Sequence, residues 1–135
     1  MLALSLPVHE HADRQTLGKR GEDAACAELA RRGYAILARR YRTRFGEIDI
    51  IARDGDAMVF VEVKARRTKR LGAAAEQIPF WKRRRIVAMA LDYMAWAGTM
   101  QHRCRFDVVA IDNAGTARPE VRVIANAFQP AEWQR

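Results

Sequence analysis

The feature that most narrows the possible folds is a pair of apolar runs on either side of Asp54-Gly55. Ile48-Asp49-Ile50-Ile51-Ala52 precedes it, and Met58-Val59-Phe60-Val61-Glu62-Val63-Lys64 follows. β-Branched and aromatic residues at this density favour strands, and Asp-Gly between two such runs signals a hairpin. With Asp54 and Gly55 as the loop, position 53 faces 56, 51 faces 58, 49 faces 60 and 47 faces 62. One face then carries Glu47, Asp49, Ile51, Met58, Phe60, Glu62 and Lys64, and the other carries only Ile48, Ile50, Val59, Val61 and Val63. This register predicts Asp49 and Glu62 as diagonal neighbours across the pair, roughly 5.5–8 Å apart between backbone positions. Lys64 lies one step further along; a bulged three-residue loop at Gly55 would shift the pairing.

The remaining elements follow from periodicity and stop signals. Residues 15–32 are helix-like and end at Gly33; Glu22 shares a helical face with Ala25, Cys26 and Leu29. Tyr34–Tyr41 reads as a strand. A second helix is expected over Pro79–Ala97, stopped by Gly98, with Ile86, Val87, Ala90, Leu91, Met94 and Ala97 as its apolar stripe. Cys104–Ile111 and Glu120–Ala125 alternate as strands around the turn signal Asn113-Ala114-Gly115. Helix, three strands, helix and two strands predict an α/β fold, a mixed central sheet of about five strands flanked by helices. A chain of 135 residues has room for one such unit. Its expected bounds are 15–128, after a flexible segment at 1–14 and before a tail at 129–135.

Lys and Arg number 24 against 16 Asp and Glu, a net charge of +8, which favours a polyanionic partner. No uncharged run approaches the roughly 18–20 residues that cross a bilayer, and neither helix joins a wide apolar face to a densely basic one, so a membrane is not expected. Cys26 and Cys104 form no CxxC and have no zinc-spaced His nearby, which fits a reducing, cytoplasmic setting and small packed thiols.

Asp49, Glu62 and Lys64 on one sheet face, with Glu22 on the apolar side of the first helix, need a common explanation. Carboxylates held close repel one another unless a cation sits among them. Oxygen ligands without His or Cys suit Mg²⁺ or Mn²⁺, and such an ion polarises a phosphate and acidifies a bound water. Phosphodiester hydrolysis is the matching chemistry, with Lys64 orienting or helping to deprotonate the water. The plainer reading makes Glu62 and Lys64 a surface pair and gives Asp49 an arginine; the apolar neighbours on both sides weigh against it. Basic runs at Arg39–Arg44, Arg66–Arg70 and Lys82–Arg85 flank these acids. Arg66, Arg67, Lys69, Arg70, Lys82, Arg84 and Arg85 are the candidate nucleic-acid contacts, and Phe45 and Trp81 beside the runs could stack on bases.

Five segments carry a resemblance: Gly21-Glu22-Asp23-Ala24-Ala25, Gly33-Tyr34-Ala35-Ile36-Leu37, Gly46-Glu47-Ile48-Asp49-Ile50-Ile51-Ala52, Val59-Phe60-Val61-Glu62-Val63-Lys64 and Arg105-Phe106-Asp107-Val108-Val109. Over about residues 17–112 the chain resembles the YraN-like family of predicted endonucleases, which is similar to restriction-endonuclease-like nucleases and archaeal Holliday-junction resolvases. The resemblance implies a restriction-endonuclease-like core, with Glu22, Asp49 and Glu62 as metal ligands and Lys64 as the catalytic lysine. It also implies DNA rather than RNA as substrate, branched or flapped forms included, and a homodimer for symmetric junctions. The alternative is a non-catalytic nucleic-acid-binding or adaptor protein of DNA repair, recombination or uptake that keeps the fold. One departure stands out: Gln77-Ile78-Pro79-Phe80-Trp81 precedes Lys82, so no helix-borne residue is assigned to the centre and Lys82 is only a candidate. Asp107 belongs to the family pattern, and a structural ion pair is its expected role.

Overall fold

The computed structural model describes residues 18–67 and 78–130. Helix α1 spans residues 18–31 and closes at Gly33, whose φ of +92° lies in the left-handed region. The strands are β1 (Ala35–Thr43), β2 (Gly46–Asp54), β3 (Ala57–Ala65), β4 (Arg103–Asp112) and β5 (Glu120–Phe128), and helix α2 is Phe80–Ala97. They form one sheet in the order β1-β2-β3-β4-β5, parallel between β3 and β4 and antiparallel elsewhere. A parallel pair needs a crossover, and α2 lies in it. The result is an α/β mixed sheet flanked by two helices, consistent with a restriction-endonuclease-like core. The expected N-terminal segment and residues 131–135 of the expected tail lie outside the described residues.

Each sheet face has its own core. Ala25 and Leu29 of α1 pack with Ile50, Ala52, Val59, Val61, Val109 and Ile111 on one face. On the other, α2 covers Ile48, Ile51, Met58, Phe60, Phe106, Val108 and Phe128. Of the expected stripe on α2, Ile86, Ala90 and Met94 are buried and Val87 packs partly buried on the same core, but Leu91 and Ala97 are exposed and Met89 and Tyr93 are buried in their stead. The helix is turned so that Tyr93 meets the edges of Tyr41 (5.1 Å between centroids) and Phe60 (6.1 Å). Aromatic side chains bury large areas and gain from edge-to-face pairing, which favours seating Tyr93 over Leu91 and Ala97.

The hairpin register also departs from expectation. β2 and β3 pair Ile50 with Val61, Ile51 with Phe60, Ala52 with Val59, Arg53 with Met58 and Asp54 with Ala57. The loop is therefore Gly55-Asp56, with Gly55 at φ +60° in the first position, the residue order of a type II′ turn. A shift of two residues keeps the parity of β3, so Met58 and Phe60 face α2 while Val59 and Val61 face α1. Ile48 breaks the pattern: it packs on the α2 face, whereas Ile50, two residues on, packs beneath α1. Alternation fails at Asp49. On β1 the matching break falls at Arg40, between the pairs Arg39–Ile50 and Tyr41–Ile48, where φ is +51°. The β2–β3 ladder ends at Ile50–Val61, while β2 stays paired with β1 down to Gly46. At this end of the sheet β2 and β3 are no longer zipped together.

Candidate active site

Helix α1 reaches this open end because of a glycine. A Cβ on Gly21 would stand 2.8 Å from the Cβ of Ala65 at the end of β3 and 3.6 Å from Ile111 Cδ1, so a larger residue would push the helix off the sheet. The next residue, Glu22, is thereby seated at 8% exposure. The Arg40 guanidinium donates to its Oε2 at 2.8 Å from Nε and 2.7 Å from a terminal nitrogen. Arg39, the preceding residue, donates to Asp23 Oδ1 at 2.8 Å. Successive residues of a regular strand point to opposite faces. The left-handed turn at Arg40, a conformation worth roughly 1–2 kcal/mol of strain in a non-glycine residue, lets both reach α1.

Asp49 sits where the ladder has opened. Its Oδ2 accepts the Val63 backbone N–H at 2.8 Å, a carboxylate standing in for a strand carbonyl. One further step of the observed register would set Asp49 opposite Glu62 rather than diagonal to it. The Asp49 carboxyl is pushed up to about 7, chiefly by burial, then by the charge of Glu62 and, more weakly, Glu22; the Val63 N–H and Lys82 pull the other way. Glu62 Oε1 accepts from Lys82 Nζ at 2.5 Å. Lys64 is half-buried two residues beyond Glu62, on the same side of β3 by alternation.

Glu22 and Glu62 are thus both close enough to act on Asp49 electrically, and each acid has an internal partner: Arg40 for Glu22, the Val63 amide for Asp49, Lys82 for Glu62. Among the described residues no group of three Asp, Glu, His or Cys side chains is already gathered as a metal cage. The donor set still fits a hard divalent cation. It is all oxygen and partly desolvated, and burial, then the charges of Glu62 and Glu22, raise the Asp49 carboxyl.

The basic residues divide by role. Arg66 is half-buried and pairs with Asp112 at 3.4 Å, its backbone bonded to Ile111 and Ala114, so it braces the β3–β4 end. Arg67 is exposed, and Lys69 and Arg70 lie outside the described residues. Lys82 belongs to the acid site. Arg84 and Arg85 are exposed and lie over the rings of Phe80 and Trp81, at 6.0 and 5.2 Å. Sequence reasoning missed Arg40: inside the Arg39–Arg44 run nothing marks it as the partner of Glu22, since that role depends on a backbone conformation.

Asp107, 1% exposed on β4, is the hub of a separate network. It accepts from Tyr34 Oη at 3.1 Å, from Arg105 at 2.9 and 3.0 Å, and from the Asn126 N–H at 2.9 Å. Arg105 also donates to Tyr34 Oη at 2.6 Å and pairs with Asp54 at 3.0 Å. The expected structural ion pair is present. Cys26 and Cys104 are free and half-buried, and burial raises both thiols, Cys104 to about 12, which leaves them poor nucleophiles.

The model of the uncharacterised protein family UPF0102 matches residues 21–111, a span that opens at Gly21 and takes in Glu22, Asp49, Glu62 and Lys64. The chain belongs to this family, the YraN-like proteins. A UPF0102 protein of Symbiobacterium thermophilum is 46% identical over 112 residues, covering 83% of this chain and 95% of that one. One from Anaeromyxobacter dehalogenans is 43% identical over 124 residues, with 89% and 92% covered. One from Geobacter sulfurreducens is 42% identical over 127 residues, with 93% and 99% covered. UPF0102 proteins thus match this chain over almost their whole length. Among the described residues no helix is long and apolar enough to cross a membrane.

Proposed function

We propose that this chain is a metal-dependent endonuclease that hydrolyses phosphodiester bonds in DNA, branched or flapped DNA included. The observation that carries the reading is Asp49: a half-buried carboxylate raised to about 7 beside Glu62 and Glu22, at the open end of a sheet, with Lys82 acting on it and Lys64 two residues past Glu62 on β3. Such an arrangement has little structural use, because each acid destabilises the next. Asp49 and Glu62, with Glu22 behind them, would hold Mg²⁺ or Mn²⁺, which when bound supplies the charge that polarises a phosphate and acidifies water. Lys64 orients the attacking water and offsets negative charge growing on the phosphate oxygens. Lys82, whose ammonium neutralises Glu62, would be free to face the phosphate if a bound cation neutralised that carboxylate instead. The reading carries with it a cytoplasmic setting, where the free Cys26 and Cys104 stay reduced, and a two-fold dimer on symmetric junctions.

The internal pairs Glu22–Arg40 and Glu62–Lys82 favour a second reading, since they neutralise two of the acids without any ion. In it the protein binds nucleic acid without cutting it and serves as an adaptor in DNA repair, recombination or uptake. Incubating the purified protein with linear, nicked, flapped and four-way DNA in Mn²⁺, Mg²⁺ or chelator separates the two. Cleavage is expected only with metal, and Asp49→Asn or Lys64→Met should reduce it by about 10²–10⁴-fold. Binding in chelator should be unchanged or tighter for Asp49→Asn, because a negative charge beside the phosphate is gone. Products in chelator, or equal cutting by Asp49→Asn, overturn the enzyme reading; metal-independent binding without products supports the adaptor.

A further inference from the structure

Three exposed aromatic rings lie at the start of α2 and in the turn between β1 and β2, each with an arginine on it. Phe80 and Trp81, the first two residues of α2, are 65% and 60% exposed and lie under Arg84 and Arg85, one helical turn on. Phe45, in the turn between β1 and β2, is 40% exposed under Arg44 at 4.9 Å. The two places are contiguous. Arg85 passes close to Gly46, where a Cβ would lie 3.7 Å from its Cδ, so one side chain spans Trp81 and the residue next to Phe45. The residue after Trp81 is Lys82, which reaches Glu62.

We infer that Phe45 and Trp81 form a stacking platform for unpaired nucleotides, leading a single-stranded segment to Glu62 and Asp49. The inference rests on the nucleic-acid reading above and narrows its substrate to one with unstacked bases next to the cut. The chemistry of the surface selects this occupant. Guanidinium groups in a protein of net charge +8 call for a polyanion, and flat apolar rings left in solvent call for a partner with open π-faces. Single-stranded nucleic acid offers both together, whereas a duplex hides its base faces and could engage only the arginines. The shared ligand is a stacked base with its phosphate, from DNA or RNA.

The test is binding by fluorescence anisotropy, in chelator and at fixed salt, of labelled oligo(dT), oligo(U) and a duplex of equal length. The full-length protein is compared with Trp81→Ala, Phe45→Ala, Trp81→Phe and, as a control, Trp96→Ala at the far end of α2. Loss of a base–aromatic stack should weaken oligo(dT) binding by about tenfold or more for Trp81→Ala. Trp81→Phe should recover most of it, Phe45→Ala should show a smaller loss, and duplex binding should change less than about twofold. Trp96→Ala should leave every affinity unchanged. An equal loss on oligo(U) also supports the platform, because stacking does not read the sugar, and the wild-type ratio of dT to U affinity assigns the source. No binding of oligo(dT) at low salt, no effect of Trp81→Ala, or an equal loss on duplex overturns the platform. Because no metal is present, its failure is distinct from that of the nuclease reading: metal-dependent cleavage with an inert Trp81 leaves the enzyme standing and removes the platform, and the reverse leaves a single-strand-binding adaptor.

Discussion

Asp49 and Asp107 both bring a carboxylate into the sheet, one at the end of β2 and one in the middle of β4, and their surroundings treat them in opposite ways. Asp107 is fully enclosed and meets a bidentate arginine, a phenol and a backbone amide, so every lone-pair direction is used. Asp49 is enclosed less, yet receives one amide and faces two other acids, and its proton is held to about 7. Burial alone therefore does not mark a working acid. What differs is the supply of donors: β4 gives its aspartate an arginine, β2 does not, and a buried acid short of donors is a candidate for function rather than for stability.

The comparison breaks most visibly at Asp107. Asp107→Ala leaves Arg105 and the Asn126 amide short of their buried partner and should cost about 3–5 kcal/mol in denaturant unfolding. A loss below about 1 kcal/mol would mean the network is no more than a surface pair.

Asp49→Asn should act in the other direction. A carboxyl raised from 3.8 to about 7 on folding stabilises the fold relative to an ionised one below pH 3.8, and that contribution is lost as pH rises through 7. Above neutrality the ionised side chain opposes folding by something of the order of 4 kcal/mol, less whatever solvent reaches a half-buried group. The variant should gain stability over the wild type steadily between about pH 4 and 7 and hold that gain above. Parallel unfolding curves across this range would place Asp49 in ordinary solvent. Smallest is Gly21→Ala. The added methyl has only 2.8 Å to the Ala65 Cβ, and its overpacking, offset by better helix propensity, should leave a net loss of about 1 kcal/mol. By moving Glu22 outward it should also lower the pH at which Asp49 titrates, which would fail to happen if Glu22 exerted no field there.

The parts legible in the sequence are those set by neighbours in the chain. β-Branched runs around a glycine turn specified β2 and β3, and the helix period put Glu22 on the side that meets the sheet. The same local rules missed the loop by one residue, because Asp54-Gly55 and Gly55-Asp56 are both good turns and the sheet decides between them. They found Ile86, Ala90 and Met94 on the buried side of α2 but missed Tyr93, which answers to Tyr41 and Phe60, more than 30 residues away in the chain. Arg40 was beyond them altogether. Its partnership with Glu22 depends on a left-handed residue inside a strand, and no pattern of apolar residues announces that.

Where β2 parts from β3, the amide of Val63 is bound to the Asp49 side chain instead of to a strand carbonyl. A carbonyl is the same acceptor at any pH, whereas this one changes charge near neutrality. The Val63 proton is consequently a resonance inside the sheet whose position in an NMR spectrum, and whose rate of exchange with deuterated water, follow the ionisation of the site. The molecule carries its own indicator, one hydrogen bond from the Asp49 carboxyl and readable in the protein alone.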